Sequence, residues 1–207
     1  GTNYSALRAV NEKLEGGGFS SGLMSFLEIG DKSAGAIKSG GTTRRAARLV
    51  VVDVDHPEVE DFIDWKVREE NKVAALITGS TINKRCVDAI MQAETGDARD
   101  MATAEAYQMG VPSGLIQRAL NLADTGLNFE LEEFDANWES KAYQTVSGQN
   151  ANNSISVTDE FMDAVKRDWD WYLTARTTGE VMKTVKARDL WDKICLAAWC
   201  SADPGLF

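Results

Sequence analysis

The 207-residue sequence contains little cysteine, proline or histidine and no long run of apolar residues. Its three cysteines are an odd number without a CxxC pair, which excludes a disulfide framework and the ligand spacing of a zinc ribbon. No apolar stretch approaches the roughly 20 residues that a helix needs to cross a bilayer. We therefore expect a cytoplasmic protein that does not enter a membrane.

Basic residues are outnumbered by acidic ones. The chain has 22 Lys and Arg against 32 Asp and Glu, a formal net charge of −10 and a pI near 4.7. This balance argues against a DNA-binding surface, which would be basic. A site for a phosphate group must then be a local island of positive charge, and Lys38, Arg44, Arg45 and Arg48 supply one. A hydrophobic content of 43% allows one sizeable core.

The cysteines are Cys86, Cys195 and Cys200. The last two lie five positions apart in a segment that is predicted to be helical, so they do not share a helix face. We interpret all three as small buried apolar residues, with reactive thiols as the alternative.

A glycine-rich segment extends from Lys38 to Ala47 and is followed by the apolar run Leu49–Val52. Its two adjacent glycines allow backbone conformations that other residues avoid, and hydroxyl and cationic side chains surround them. A turn of this composition, anchored to a buried strand, suits a phosphorylated ligand. It matches neither the Walker A motif nor the dinucleotide motif GxGxxG. A surface turn with solvated arginines is the alternative.

Hydrophobic periodicity and capping residues predict alternating helices and strands. In chain order we expect a helix capped by Ser20 or Ser21 and ended by Gly30-Asp31, a strand Ala46–Val54, a helix capped by Asp55, a strand Val73–Thr78, helical stretches Asn83–Glu94 and Ser113–Asp124, a strand Tyr143–Ser147, a helix capped by Thr158 and a helix Ala187–Trp199. The alternation indicates an α/β fold with parallel strands. Polar stretches interrupt residues 81–138, which we interpret as a helical surface excursion.

Asp53, Asp55, His56 and Glu58 gather carboxylates and the only histidine within six positions. These are common metal-ligand types. A strand end followed by an acidic helix start explains the same residues without a ligand, and we favour that interpretation. We therefore predict no metal site.

Four carboxamides, Gln149, Asn150, Asn152 and Asn153, fall within five positions after the predicted strand at 143–147. A buried strand end rarely tolerates so many donors and acceptors unless they bind a ligand or one another. Turn formation is the alternative, because asparagine favours turns. The residues alone leave both open.

Five blocks, in order, resemble the adenosylcobalamin-dependent (class II) ribonucleotide reductases. The blocks are Gly1–Arg8, Gly16–Phe26, Ala34–Ala47, Thr145–Ser154 and Ala202–Leu206. The resemblance implies an internal fragment of that family's catalytic domain, with part of its ten-stranded α/β barrel and a helical insertion at 81–138. Open strand edges of a partial barrel would favour self-association.

The resemblance implies an enzyme that converts ribonucleotides to deoxyribonucleotides by radical chemistry with adenosylcobalamin. In that family the radical cysteine lies in an Asn-Pro-Cys-Ser-Glu segment, expected beyond Phe207, and the redox pair is expected on either side of the chain. Because none of the three cysteines has a matching context, we assign no catalytic residue and expect this chain alone to be inactive. A non-catalytic nucleotide-binding module, or one part of a split reductase, is the alternative.

The resemblance also implies allosteric control, in which a nucleoside triphosphate near a dimer interface selects the substrate through two loops. They correspond to Ser5–Gly18 and Ile37–Ala47, and the helix Ser21–Ile29 between them is either dimer-forming or an ordinary core helix. Substrate or effector binding is then expected at Asn3, Ser5, Arg8, Lys13, Lys38, Ser39, Gly40, Gly41, Thr42, Thr43, Arg44 and Arg45. Gln149, Asn150 and Asn152 are expected to line the active-site channel.

Overall fold

The computed structural model describes residues 1–37, 47–138 and 140–207. The described elements are β1 (Thr2–Asn3), α1 (Leu23–Ala36), β2 (Arg48–Asp53), α2 (Val59–Gln92), α3 (Gly96–Gln108), α4 (Ser113–Thr125), α5 (Lys141–Thr145), β3 (Ala151–Ser156), α6 (Asp159–Arg167), β4 (Asp170–Thr174), β5 (Val181–Lys186), α7 (Ala187–Ser201) and β6 (Gly205–Leu206). They form two compact units, residues 1–70 with 146–207, and residues 71–145.

The first unit is built on an open parallel sheet in the order β1-β2-β3-β6. Its central pair aligns Arg48 with Ala151 and Asp53 with Ser156. One face of this pair is apolar and packs on helices, because successive side chains of a strand point to opposite faces. The buried cluster on that face includes Leu23, Leu27, Val50, Val52, Val59, Phe62, Ile155, Phe161, Leu190 and Ile194. The α/β class with parallel strands is thus confirmed.

A second, antiparallel sheet in this unit is a hairpin of β4 and β5, which the sequence analysis missed. Its turn contains Gly179 with φ of +72°, a conformation that favours glycine. Both strands are largely exposed, so they lack the apolar run that marks a buried strand. Alternation within such short strands is a weak signal.

The second unit is helical and comprises the later part of α2 together with α3, α4 and α5. Its own apolar cluster includes Cys86, Val87, Ile90, Ala106, Ile116 and Ala119. The expectation of an insertion bounded at 81–138 remains a prediction. No helix in the described ranges is both long enough and apolar enough to cross a membrane.

Two predicted strands are wrong. Val73–Thr78 lies inside the 34-residue helix α2, because a short apolar run cannot be told from a helix segment by periodicity alone. Tyr143–Ser147 contains the end of the short helix α5 and the turn after it. The strand of that region begins later, at Ala151.

Helix α1 also differs from its prediction at both ends. Its N-cap is Gly22, and no side chain of Ser20 or Ser21 caps it. It continues through Gly30-Asp31 to Ala36, since Asp31 is buried and bonds to backbone amides elsewhere instead of terminating the helix. Likewise, Asp55 does not cap α2, which begins at Val59.

The later helices match their predictions. Thr158 caps α6, where its side chain accepts a hydrogen bond from the Phe161 amide at 3.2 Å. Helix α7 spans Ala187–Ser201 and buries Leu190, Ile194 and Ala197. Helix α6 carries its capping residue and its apolar stripe close together in sequence, whereas α7 follows Lys186 without a capping side chain and is predicted by its apolar stripe alone.

Candidate functional site

The first loop, Ser5–Gly18, leaves the sheet at the end of β1 through a network of short polar contacts. The Ser5 hydroxyl accepts a hydrogen bond from the Asp53 amide at 2.7 Å. The Asn3 side chain accepts one from the Ser5 amide at 2.8 Å and donates one to the Asp53 carboxylate at 3.2 Å. Asn3 and Ser5, both expected to bind a ligand, therefore fix the start of the loop to β2.

His56 stabilises the same loop through a hydrogen bond to Leu7. It is fully buried, and its Nδ1 accepts a hydrogen bond from the Glu58 amide at 3.0 Å. Its Nε2 therefore carries the proton and donates to the Leu7 carbonyl oxygen at 3.0 Å. Burial lowers the pKa of His56, and the bond to Leu7 opposes this only in part. Both ring nitrogens are thus engaged in a neutral, structural histidine.

Glu58 joins the loop to helix α1. Its buried carboxylate accepts hydrogen bonds from the amides of Val10 at 3.0 Å and Leu23 at 2.7 Å, with the Met24 amide at 3.5 Å. A Cβ at Gly22 would lie 2.7 Å from Glu58 Oε1, so the glycine gives the carboxylate access to the helix start. Glu58 satisfies amide groups that a capping side chain usually satisfies. Within the described ranges, no group of three or more metal-ligating side chains is found.

Glu12 fastens the loop to the turn of the β4–β5 hairpin. Its buried carboxylate accepts hydrogen bonds from the Ala9 amide at 2.7 Å, the Arg176 amide at 3.1 Å, and the Thr177 amide and hydroxyl at 3.2 and 3.0 Å. Burial acts to raise the pKa of Glu12, but these hydrogen bonds together hold it below its ordinary value. The carboxylate is therefore ionised at neutral pH.

The tip of the first loop is open. Residues 13–19 are all exposed, and Lys13 forms an antiparallel bridge with Phe19 that closes the tip. Arg8 is half-buried, and its Nε lies buried without a hydrogen-bond partner among the described residues. The loop thus combines a hydrogen-bonded base with two cations, Arg8 and Lys13, which could meet an anionic ligand.

Residues 38–46 lie outside the part of the chain that the structure describes. The predicted binding residues Lys38, Ser39, Gly40, Gly41, Thr42, Thr43, Arg44 and Arg45 all fall there. The described residues on either side are Ile37 and Ala47, both exposed, and Arg48 then begins β2. The Arg48 guanidinium donates to the Tyr4 hydroxyl at 2.5 Å, next to the first loop.

The carboxamide segment does not follow a strand, because Gln149 and Asn150 precede β3 whereas Asn152 and Asn153 lie within it. The Asp31 carboxylate accepts hydrogen bonds from the amides of Gly148 at 2.9 Å and Asn150 at 2.8 Å. The Asn150 side chain donates to the Asp31 carbonyl oxygen at 3.3 Å, and a Cβ at Gly35 would lie 2.8 Å from its Nδ2. Asn150 thus hydrogen-bonds the turn before β3 to α1. Turn formation is one of the two alternatives that the sequence analysis left open for this segment.

The neighbouring carboxamides differ from Asn150. Gln149 is half-buried, with a buried Nε2 that has no hydrogen-bond partner among the described residues. Asn152 is exposed and lies on the sheet face opposite Ala151 and Ile155. Channel lining by Gln149, Asn150 and Asn152 remains a prediction.

The cysteine prediction is correct for one residue and wrong for two. Cys86 is buried in the apolar cluster of the second unit. Cys195 and Cys200 are exposed on α7, beside the buried stripe of that helix. Cys195 follows the buried Ile194 by one position, which places it on another face, whereas Cys200 lies three positions after the buried Ala197, so the spacing indicates exposure of Cys195 only.

A cavity of about 350 Å³ lies at the carboxyl ends of β2 and β3. Asp53, Ser156 and Thr158 line it, together with Trp171 and Tyr172 of β4. Trp171 is held in place by a hydrogen bond from its indole nitrogen to the Val54 carbonyl oxygen at 3.2 Å. The two aromatic residues were missed because the hairpin was missed.

Comparison with known proteins gives matches over the whole chain. The family model described as "Ribonucleotide reductase, barrel domain" matches residues 1–207. The chain is 55% identical to a vitamin B12-dependent ribonucleotide reductase of Agrobacterium fabrum and 54% identical to one of Bradyrhizobium diazoefficiens, with 100% of this chain covered. It is 38% identical to one of Streptomyces avermitilis. The chain spans only 17%, 18% and 16% of the lengths of these relatives.

Proposed function

The chain belongs to the ribonucleotide reductase barrel family, and from this membership we propose that it forms part of an enzyme that reduces ribonucleotides to deoxyribonucleotides with adenosylcobalamin. Two observations support the proposal. The family model matches residues 1–207, and the chain is 55% identical to a relative named as a vitamin B12-dependent ribonucleotide reductase. The open four-stranded parallel sheet agrees with a partial barrel.

Adenosylcobalamin would supply the radical chemistry of the intact enzyme. The described residues give no donor set for that group. His56 is the only histidine of the chain, and both of its ring nitrogens are engaged in buried hydrogen bonds. It therefore cannot serve as an imidazole ligand to cobalt without breaking the support of the first loop. We assign no residue of this chain to the cofactor.

We likewise assign the reacting thiols to parts of the enzyme outside this chain. Cys86 lies in the apolar cluster of the second unit, where its thiol has no access to a ribose. Cys195 and Cys200 lie on α7, outside the sequence contexts that the resemblance associates with radical or redox cysteines. The role that we propose for this segment is therefore scaffold and regulation.

The regulatory role rests on the two loops. The first loop has a base that is held by Ser5, His56, Glu58 and Glu12, whereas its tip is exposed and carries Lys13. A rigid base with an open cationic tip suits a loop that binds a nucleoside triphosphate effector. The second loop would then pass the effector's identity to the substrate site, with Arg44 and Arg45 as its cations.

The partner that we propose is a second copy of the enzyme, which would pack against the outer face of α1. One face of this helix buries Leu23 and Leu27, so on that face it is an ordinary core helix, which was one of the two expectations from the sequence. Its other face exposes Phe26 by 47% and Ile29 by 64%. Exposed apolar residues of this size on a regulatory helix favour a protein contact.

Activity assays with and without the rest of the enzyme test this function. The full-length protein that carries this segment should reduce ribonucleotides when adenosylcobalamin and a dithiol are supplied, and omission of adenosylcobalamin should abolish turnover. Residues 1–207 alone should give none under the same conditions. Turnover by the isolated chain would contradict our assignment and would require a redox role for one of its cysteines.

A further inference from the structure

Arg48 connects elements that are distant in sequence. It is the first residue of β2 and follows directly on the segment that ends at Ala47. Its Nη2 donates to the Tyr4 hydroxyl at 2.5 Å, and its guanidinium carbon lies 5.4 Å from the centre of the Tyr4 ring. Its Nη1 lies 3.5 Å from the Leu27 carbonyl oxygen on α1.

The sequence of α1 is adapted to this guanidinium. A Cβ at Gly30 would overlap the Arg48 side chain, with Nη2 only 2.6 Å away. Gly30 lies inside a helix, where its backbone needs no special conformation and alanine is normally the better residue. A glycine at this position therefore makes room for the arginine.

Tyr4 is equally well anchored, at the start of the first loop. Its amide donates to the Val51 carbonyl oxygen at 2.9 Å, and its own carbonyl oxygen accepts from the Leu7 amide at 3.0 Å. The path from Ala47 through Arg48 to Tyr4 thus joins the end of the second loop to the beginning of the first by one charged hydrogen bond and one cation–π contact.

We propose that Arg48 is a positioning residue that holds the end of the second loop against the base of the first, so that effector-dependent substrate choice requires the Arg48–Tyr4 contact and the space at Gly30. This inference deepens the proposed function and rests on it. The sequence analysis counted Arg48 among the cations of a phosphate site, whereas in this proposal its guanidinium is held by Tyr4 and the Leu27 carbonyl oxygen and contacts neither substrate nor effector. It acts by fixing where the second loop enters the sheet.

Three substitutions in the full-length protein test the inference without removing a large buried group. Tyr4→Phe removes only the hydroxyl, and Arg48→Lys keeps the charge but loses the planar fork. Gly30→Ala changes neither Tyr4 nor Arg48, but its added Cβ would displace the Arg48 guanidinium. The matched control is Gly79→Ala, also within a helix, where an added Cβ would meet nothing within 4 Å.

The readout is the reduction ratio of two competing ribonucleotides, measured with each nucleoside triphosphate effector in turn, together with kcat and KM for the preferred pair. We expect each of the three substitutions to reduce the effector-dependent change in this ratio by about threefold to tenfold, as loss of one such hydrogen bond implies, with kcat for the preferred pair largely retained. Tyr4→Phe combined with Arg48→Lys should have less effect than the sum of the two single changes, because both act on the contact between the same two side chains. Gly79→Ala should behave as wild type.

Unchanged effector dependence in all three variants would overturn the inference, as would equal losses of kcat for every pair, which would indicate a general structural role. Failure of the proposed function is a different result. In that case the wild-type protein itself would show no effector-dependent ratio.

Discussion

Buried carboxylates are used in this chain as long-range hydrogen-bond acceptors. Glu58 accepts from amides of the first loop and of α1, Glu12 from the loop and the hairpin turn, and Asp31 from the turn before β3. Sequence reasoning recognised Glu58 only as an acidic residue near a helix start. Each carboxylate has a partner that is distant in sequence, 48 positions away for Glu58, 117 for Asp31 and 165 for Glu12, so no local pattern indicates these hydrogen bonds.

The Glu12 carboxylate makes the first loop sensitive to acid. Because the folded-state pKa lies below the ordinary value of 4.5, the ionised form is the stabilising one. Its contribution is complete above that ordinary value and is lost as the pH falls from there through the folded-state pKa. We expect hydrogen-exchange protection of the amides of Ala9 and Thr177, corrected for intrinsic rates, to fall in this acidic range in the wild-type protein.

Glu12→Gln should weaken this protection already at neutral pH and remove its acid dependence, because a carboxamide cannot accept all four hydrogen bonds. Glu15→Gln, at an exposed carboxylate of the same loop, is the control and should leave both unchanged. If Glu12→Gln kept the same pH profile as the wild type, another group would have to control the loop.

Among the elements, those with their determinants close in sequence were predicted correctly. Helix α6 combines the capping residue Thr158 with an apolar stripe over 9 residues, and α7 carries an apolar stripe over 15 residues. The apolar run at 73–78 was misread because its helix continues on both sides without an internal cap, and only Val73 of the run is buried. Helix α1 passed through Gly30-Asp31 because both residues serve tertiary contacts that the sequence does not display.

The two faces of α1 lead to a prediction about association. Replacing Phe26 and Ile29 together by Asp should weaken dimerisation of the full-length protein at least tenfold, since charges would replace two apolar side chains at the contact that we propose. Sedimentation equilibrium measures this change. Met101→Asp, at a 74% exposed position of α3, is the control and should not alter association. A dimer of unchanged affinity would assign the outer face of α1 another role.

For the whole molecule, the resemblance of five ordered blocks predicted the family, which the match over residues 1–207 confirms. The parallel sheet was also predicted, because strand and helix signals alternate. The hairpin and its aromatic residues were not, since its strands are exposed and carry no apolar run. Of the candidate site, Asn3 and Ser5 were expected from the family resemblance, but their contact with Asp53 depends on strand pairing that only the fold supplies.

We propose that this segment is the effector-sensing part of a ribonucleotide reductase. Competitive reduction of the four ribonucleotides by the full-length protein, with each nucleoside triphosphate added in turn, tests this claim. In the variant with Arg44→Ala and Arg45→Ala we predict weaker effector binding and a changed choice of base, with the fold intact. The charge-matched control with Arg167→Ala and Arg188→Ala, at exposed positions of α6 and α7, should select as the wild type does. Unchanged effector affinity and unchanged base choice in the first variant would contradict the claim.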